Sequence, residues 1–300
     1  MLVGFGLPVS GAWAHPDAVR RFAVHAQELG YHCLWTFSRL LAGADQDVDP
    51  VYRSVLDPLV SLAFAAAHTT RIRLGVAVVN LPFVAPVYLA KQAATLDVLS
   101  GGRLDLGLGV GWSPVEFAAT GASTERRGPR TVEYLEVLRT LWAGETGGYR
   151  GEFYTVPAGW MLPRPVQRPG PPILLGGSAP AALRRAGRLA DGWISRSGQD
   201  LSRLPEDIAT VRSGAAAAGR DPAAVRIVCR GVVRPGERGP LLSGSFAQIR
   251  LDVQRLAEFG VTELFYDLNW DPLVGSPDAD PGTAVRRAEE IALALAPGGS

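Results

Sequence analysis

Between Arg71 and Trp112 the chain reads RIRLGVAVVNLPFVAPVYLAKQAATLDVLSGGRLDLGLGVGW, and this stretch constrains the fold more than any other. Residues 72–79 are short, apolar and β-branched, the pattern of a strand buried on both faces. Pro86 supplies a helix N1 residue, Val87, Ala90, Ala94 and Val98 recur at helical spacing, and Ser100-Gly101-Gly102 stops the run. A second buried strand follows at residues 103–108. Two such strands joined by a helix pair in parallel, because only a crossover returns the chain to the same end of the sheet.

The pattern repeats along the chain. Residues 2–7, 32–37, 172–175, 192–195, 225–233 and 263–267 read as further strands, with amphipathic helices between them. Asp57-Pro58 and Asp280-Pro281 stand as N-cap and N1 of two of those helices. Eight strands alternating with eight helices imply a parallel sheet with right-handed crossovers. A (β/α)8 TIM barrel, which takes ~250 residues, fits in 300 with insertions. The count alone also allows a doubly wound sheet. Residues 1–296 are expected to form one domain and residues 297–300 a flexible tail. Two irregular stretches stand out: the polar loop 38–56 and an insertion at 145–171 rich in Gly, Pro and aromatics.

A composition 47% hydrophobic and 20% charged is that of a globular chain with a sizeable core. The net charge of +1 gives no electrostatic case for nucleic acid or a membrane surface, so a small-molecule substrate is expected. No run approaches 18 uninterrupted apolar residues, and the start lacks a charged signal-like region. Cys33 and Cys229 both fall in expected buried strands, which speaks against a disulfide framework and for a reducing, cytoplasmic setting.

Function in such a barrel sits at the carboxyl ends of the strands. That rule collects His15, Ser38, Arg39, Ala77, Val78, Asn80, Gly109, Gly111, Trp112, Gly176, Gly177, Ser178, Ser195, Arg196, Arg230 and Asp267. The alternation Gly107, Gly109, Gly111 has two readings: room for a planar ligand to approach the backbone, or relief of crowding at a barrel corner. Gly176-Gly177-Ser178 before a helix offers free N–H groups to a phosphate, or is a simple connection.

The run RIRLG…LAKQAATLDVLSGGRLDLGLGVGW, followed in order by RGPRTVEYLEVLRTLW, RPVQRPGPPILLGGS and ADGWISRSG, resembles the luciferase-like monooxygenase superfamily. It is most similar to the coenzyme F420-dependent oxidoreductases of that superfamily. The resemblance covers nearly the whole chain and favours the closed barrel over the open sheet. It implies a non-prolyl cis peptide at Ala77-Val78 backing a deazaflavin ring and a cofactor phosphate at Gly176, Gly177 and Ser178. Ser38, Asn80, Gly109, Gly111 and Ser195 complete the cofactor-binding set that it implies.

One departure is informative. Where these relatives read Asp-His after the second strand, this chain reads Ser38-Arg39, and Trp112 and Gln199 replace an acid and a substrate-binding lysine found in the sugar-phosphate dehydrogenases. Ser38 can still hydrogen-bond a ring substituent. Arg39 cannot shuttle a proton near neutral pH. It could stabilise a developing enolate or anchor a substrate carboxylate, or it could be a surface arginine paired with Asp45 or Asp47. His15, Asp45, Asp49, Glu116 and Asp267 remain as acid candidates. Among them His15 equally suits a helix start, Glu116 a solvated helix position and Asp267 a strand-end cap. Trp13, Trp160 and Trp270 could wall a pocket or pack loops onto the barrel.

The expected activity is hydride transfer between F420 and a small organic substrate, with reduction of an activated C=C or C=N bond suiting a site rich in donors and poor in bases. Catalysis would then rest on Arg39, His15 and Trp112. An FMN-dependent monooxygenase and a cofactor-binding protein without turnover are the alternatives. The apolar helix at 59–67 suggests a homodimer.

Overall fold

The computed structural model describes residues 1–44 and 46–298; Asp45 and the end of the 297–300 tail lie outside the described residues. Eight parallel strands close into a barrel. They are β1 (Leu2–Gly6), β2 (Cys33–Thr36), β3 (Arg73–Asn80), β4 (Leu104–Gly109), β5 (Ile173–Gly176), β6 (Gly192–Ile194), β7 (Arg226–Val232) and β8 (Glu263–Asp267). Neighbours in sequence are neighbours in space, and β8 returns to pair with β1, Leu2 opposite Glu263. This is the TIM-barrel arrangement that the alternating pattern implies.

Helices α1 (Pro16–Glu28), α2 (Pro58–His68), α3 (Pro86–Leu99), α4 (Pro114–Thr120), α5 (Arg127–Ala143), α6 (Pro180–Leu189), α7 (Leu204–Ala217), α8 (Phe246–Glu258) and α9 (Pro281–Ala294) surround it. Asp57 and Asp280 cap α2 and α9 through their carboxylates, with Pro at N1, as the sequence indicates. Two elements go beyond the sequence reading. The short α4, which the sequence reading touches only as a helix position at Glu116, starts at Ser113-Pro114 with Glu116 in its first turn, a helix-start signal. The 145–171 insertion holds a small antiparallel hairpin, Tyr149–Arg150 against Thr155–Val156. Among the described residues no helix is long and apolar enough to cross a membrane.

The barrel interior is layered. At the amino ends of the strands a charged group fills the floor. Asp105, fully buried, accepts from Arg73 Nε at 2.8 Å and Arg226 Nη1 at 2.7 Å, and Glu263 accepts from Arg226 Nη2 at 2.9 Å. Burial alone would raise the Asp105 pKa, but the hydrogen bonds from Arg73 and Arg226 outweigh it and hold the carboxyl below its usual value. Above the floor Trp35 stacks on Phe265, ring centroids 5.2 Å apart, and its Nε1 donates to Glu263 at 2.9 Å. The floor is charged and paired and the middle is filled by aromatics, which leaves the carboxyl ends of the strands as the place for a site.

Candidate active site

A cleft of about 250 Å³ opens there. Its base is set by β3, whose register on β4 shifts between Val76 and Val79, with a cis peptide bond at Ala77-Val78. Both carbonyls of that bulge are taken by side chains. Ser38 Oγ donates to the Val78 oxygen at 2.6 Å, and Arg230 Nη1 donates to the Ala77 oxygen at 3.2 Å. Side-chain donors thus meet carbonyls at the point where β3 leaves its register, as buried backbone requires.

The glycines of β4 divide between the two readings. A Cβ on Gly107 would overlap the Val76 carbonyl oxygen, so Gly107 relieves crowding inside the barrel. A Cβ on Gly109 would lie 2.6 Å from Val78 Cγ2 and 3.2 Å from Asn80 Oδ1, so Gly109 lets the Val78 side chain lie across the cleft floor. Gly109, Gly111 and Asn80 all line the cleft.

The β5–α6 turn adds a further part of the lining. Gly176, Gly177 and Ser178 line the cleft, Gly177 has φ +122°, and Trp193 Nε1 donates to the Gly177 oxygen at 2.8 Å. The amino end of α6, which follows this turn directly, has no side-chain cap, so the positive end of its dipole carries no carboxylate or hydroxyl there. Ser195, also in the wall, is 4% exposed and its Oγ accepts from the Arg230 N–H at 2.9 Å.

Two arginines occupy the mouth differently. Arg230 Nε donates to Asp267 at 2.6 Å, and its guanidinium carbon sits 4.0 Å from the Trp270 ring centroid and 4.7 Å from that of Phe37. Arg39 lies against Tyr52 and Trp112, 4.9 and 4.8 Å from their centroids. Among the described residues its carboxylate neighbour is Glu116, Nη1 to Oε2 3.8 Å, rather than Asp47; Asp45 lies outside them. Glu116 is corrected from a solvated residue to one 1% exposed, whose Oε1 accepts from the Leu40 N–H at 2.6 Å. Asp267, 1% exposed, is likewise an ion-pair partner as well as a cap, since Oδ1 accepts from the Asn269 N–H at 3.0 Å.

The remaining candidates fall elsewhere. His15 does not line the cleft: it is the N-cap of α1, with Nδ1 accepting from the Ala18 N–H at 3.4 Å, which corrects its reading as a catalytic acid. Asp49 caps the short turn at Pro50–Tyr52. Trp13 is fully buried and donates to Asn269, while Trp160 is 85% exposed on the insertion. Gln199 Nε2 donates to Asp207 at 2.6 Å. Tyr52 and Phe37 belong to the site and were not singled out. Their signal was aromatic character inside or next to the long 38–56 loop.

Comparison with known proteins agrees with this architecture. The luciferase-like monooxygenase family matches residues 3–238. An uncharacterised protein of Mycobacterium tuberculosis is 36% identical over 249 residues, 83% of this chain and 79% of that one. The F420-dependent glucose-6-phosphate dehydrogenase of Microbacterium testaceum is 32% identical, over 68% of this chain and 60% of its own length. The FMNH2-dependent dimethylsulfone monooxygenase of Pseudomonas putida is 31% identical, over 68% and 54%. In three dimensions the chain superposes on monooxygenase RslO1 of Streptomyces bottropensis with a TM-score of 0.78, at 24% identity and 98% coverage of both. The chain belongs to the luciferase-like monooxygenase family.

Proposed function

We propose that the protein is an F420-dependent oxidoreductase that moves hydride between C5 of the deazaflavin and a small organic substrate, reducing an activated C=C or C=N bond. The observation that carries this reading is one cleft lined both by the Val78 bulge and by the Gly176–Ser178 turn that leads into an uncapped helix amino end.

The residues present fit such a cofactor. Val78 and Ile194 offer apolar surface to a planar ring, and Gly109 leaves room for the Val78 side chain on the floor. Gly177, Ser178 and the first turn of α6 offer N–H donors and dipole to a phosphate. When bound, the deazaflavin supplies a carbon centre that carries hydride. The chain itself binds, orients and excludes water: Ser38 and Arg230 fix the bulge, and Tyr52 and Trp112 roof the Arg39 side of the mouth.

The FMN reading keeps a specific support, the 31% identity to an FMNH2-dependent monooxygenase beside the 32% identity to an F420-dependent dehydrogenase. Titration with oxidised F420 and, separately, FMN, followed by cofactor fluorescence, decides between them. Selective F420 binding that a Gly177→Trp variant loses is the expected result. FMN binding with NAD(P)H-linked oxygen uptake would transfer the assignment to the monooxygenase, and binding of neither would remove both.

We also propose a homodimer. Val60 on α2 and Tyr88 on α3 are 68% and 71% exposed, and Phe64 and Val87 extend the same apolar surface across these neighbouring helices, a face that suits a second copy of the chain.

A further inference from the structure

We propose that Arg39 is the anchor for a carboxylate on the substrate, so that the protein acts on small organic monocarboxylates. This rests on the oxidoreductase reading for the reaction but on Arg39 itself for the ligand.

The Arg39 side chain is 3% exposed, yet Nε, Nη1 and Nη2 have no hydrogen-bond partner among the described residues. The Glu116 oxygen at 3.8 Å is beyond hydrogen-bond length. The other Glu116 oxygen is committed to the N–H groups of Leu40 and Leu41. A buried guanidinium with five idle donors is costly unless a ligand completes it.

Its surroundings define the shape of that ligand. Tyr52 and Trp112 both lie within cation–π range of the guanidinium, and with their centroids 5.8 Å apart they cover one flank of it. Its fork of parallel N–H groups, without a hydrogen bond among the described residues, matches two carboxylate oxygens. Arg39 also stands in the wall between the cleft and a second cavity of about 320 Å³, where Val55, Leu59, Val79, Phe83 and Leu89 offer apolar lining. A small acid with an apolar body therefore meets both charge and hydrocarbon there.

The charge balance has the same sign. The charged residues lining the cleft are Arg39, Arg196 and Arg230 against Glu116. Arg230 is paired with Asp267, and Arg39 is buried without a hydrogen-bond partner among the described residues.

The test is calorimetric binding of crotonate and cinnamate against crotonamide and cinnamamide, to wild type, Arg39→Gln and Arg39→Lys, each without cofactor and with saturating F420 or FMN. The acids should bind wild type about tenfold to a hundredfold more tightly than their amides. Arg39→Gln should abolish that preference and Arg39→Lys, which keeps charge without the fork, should restore part of it. Thermal melts should show both variants folded, so that a lost preference reports on the ligand contact and not on unfolding. Equal binding of acid and amide by wild type, no binding of either acid, or a preference unchanged in Arg39→Gln would overturn the proposal. A variant that loses F420 or FMN affinity while keeping the acid preference would do the same, because Arg39 would then serve the cofactor. Failure of both cofactors to bind overturns the oxidoreductase reading alone, since the cofactor-free arm still reports on the carboxylate.

Discussion

Ser38 Oγ donates to the Val78 carbonyl oxygen at 2.6 Å, tying the end of β2 to the bulge of β3. The hydroxyl that sequence reasoning assigned to a cofactor substituent is thus spent on the wall that would support the cofactor. Ser38→Ala removes one partly buried hydrogen bond and leaves the Val78 oxygen short of a donor, a loss of about 1 kcal/mol. The expected outcome is a small drop in stability by denaturant unfolding together with several-fold weaker cofactor binding by fluorescence titration. Unchanged affinity would show that the bulge holds its position without Ser38.

Gly109→Ala tests the same floor from β4. The new methyl would lie 2.6 Å from Val78 Cγ2, closer than packed carbons tolerate, and one of the two must move. Overpacking of this kind costs about 1 to 3 kcal/mol, and here it displaces a cleft residue directly. Cofactor affinity should therefore fall by more than the lost stability, measured as melting temperature, would suggest for a mutation elsewhere in the barrel.

Cys33 and Cys229 are both fully buried. Burial pushes the Cys33 thiol well up, and it raises Cys229 to about 12 against a smaller opposing hydrogen bond with Ser195. The thiolate is the reactive form, so at pH 8 neither should react with Ellman's reagent in the native protein. Denaturation should release two equivalents, the full cysteine count of the chain.

How much of this was legible in the sequence follows from what each residue depends on. The barrel was legible because buried β-branched runs and helix starts such as Asp57-Pro58 are local signals. The strand read at residues 263–267 is β8 itself. Arg39 could be marked as unusual only because it replaces a familiar pair, and its contact with Tyr52 and Trp112 could not be read, since those residues are 13 and 73 positions away. The burial of Glu116 is hidden in the sequence for a related reason. Taken alone it is a first-turn acid of a short helix, and only the return of the 38–56 loop over α4 buries it. His15 shows the reverse case, where a residue with useful chemistry at the right barrel end serves its own helix instead.

The exposed apolar face of α2 and α3 leads to a test of assembly. Burial of Val60, Phe64, Val87 and Tyr88 against a second copy should give a solution mass of twice 31.8 kDa by light scattering. Phe64→Glu, at a residue 39% exposed, places an unpaired charge in that contact and should shift the mass toward one chain without unfolding the barrel. A wild-type mass of one chain at micromolar concentration would end the dimer proposal.

The floor of the barrel should determine its acid tolerance. Asp105 neutralises Arg73 and Arg226 from a fully buried position, and Asp105→Asn would leave both cations short of their shared partner. Breaking a buried pair in this way costs about 3 to 5 kcal/mol. Because the folded carboxyl is held below its usual value, its contribution is present above the unfolded pKa of about 3.9 and is lost as pH falls through the lower folded value. The stability gap between wild type and Asp105→Asn, measured by urea unfolding, should therefore be widest above about pH 5 and narrow steadily on acidification. A protonated Asp105 resembles the amide, so the two proteins converge in acid. A gap independent of pH would mean that Asp105 acts through shape rather than charge. Cofactor affinity should be spared in whatever fraction of the variant stays folded, because the whole Trp35–Phe265 layer separates this floor from the cleft.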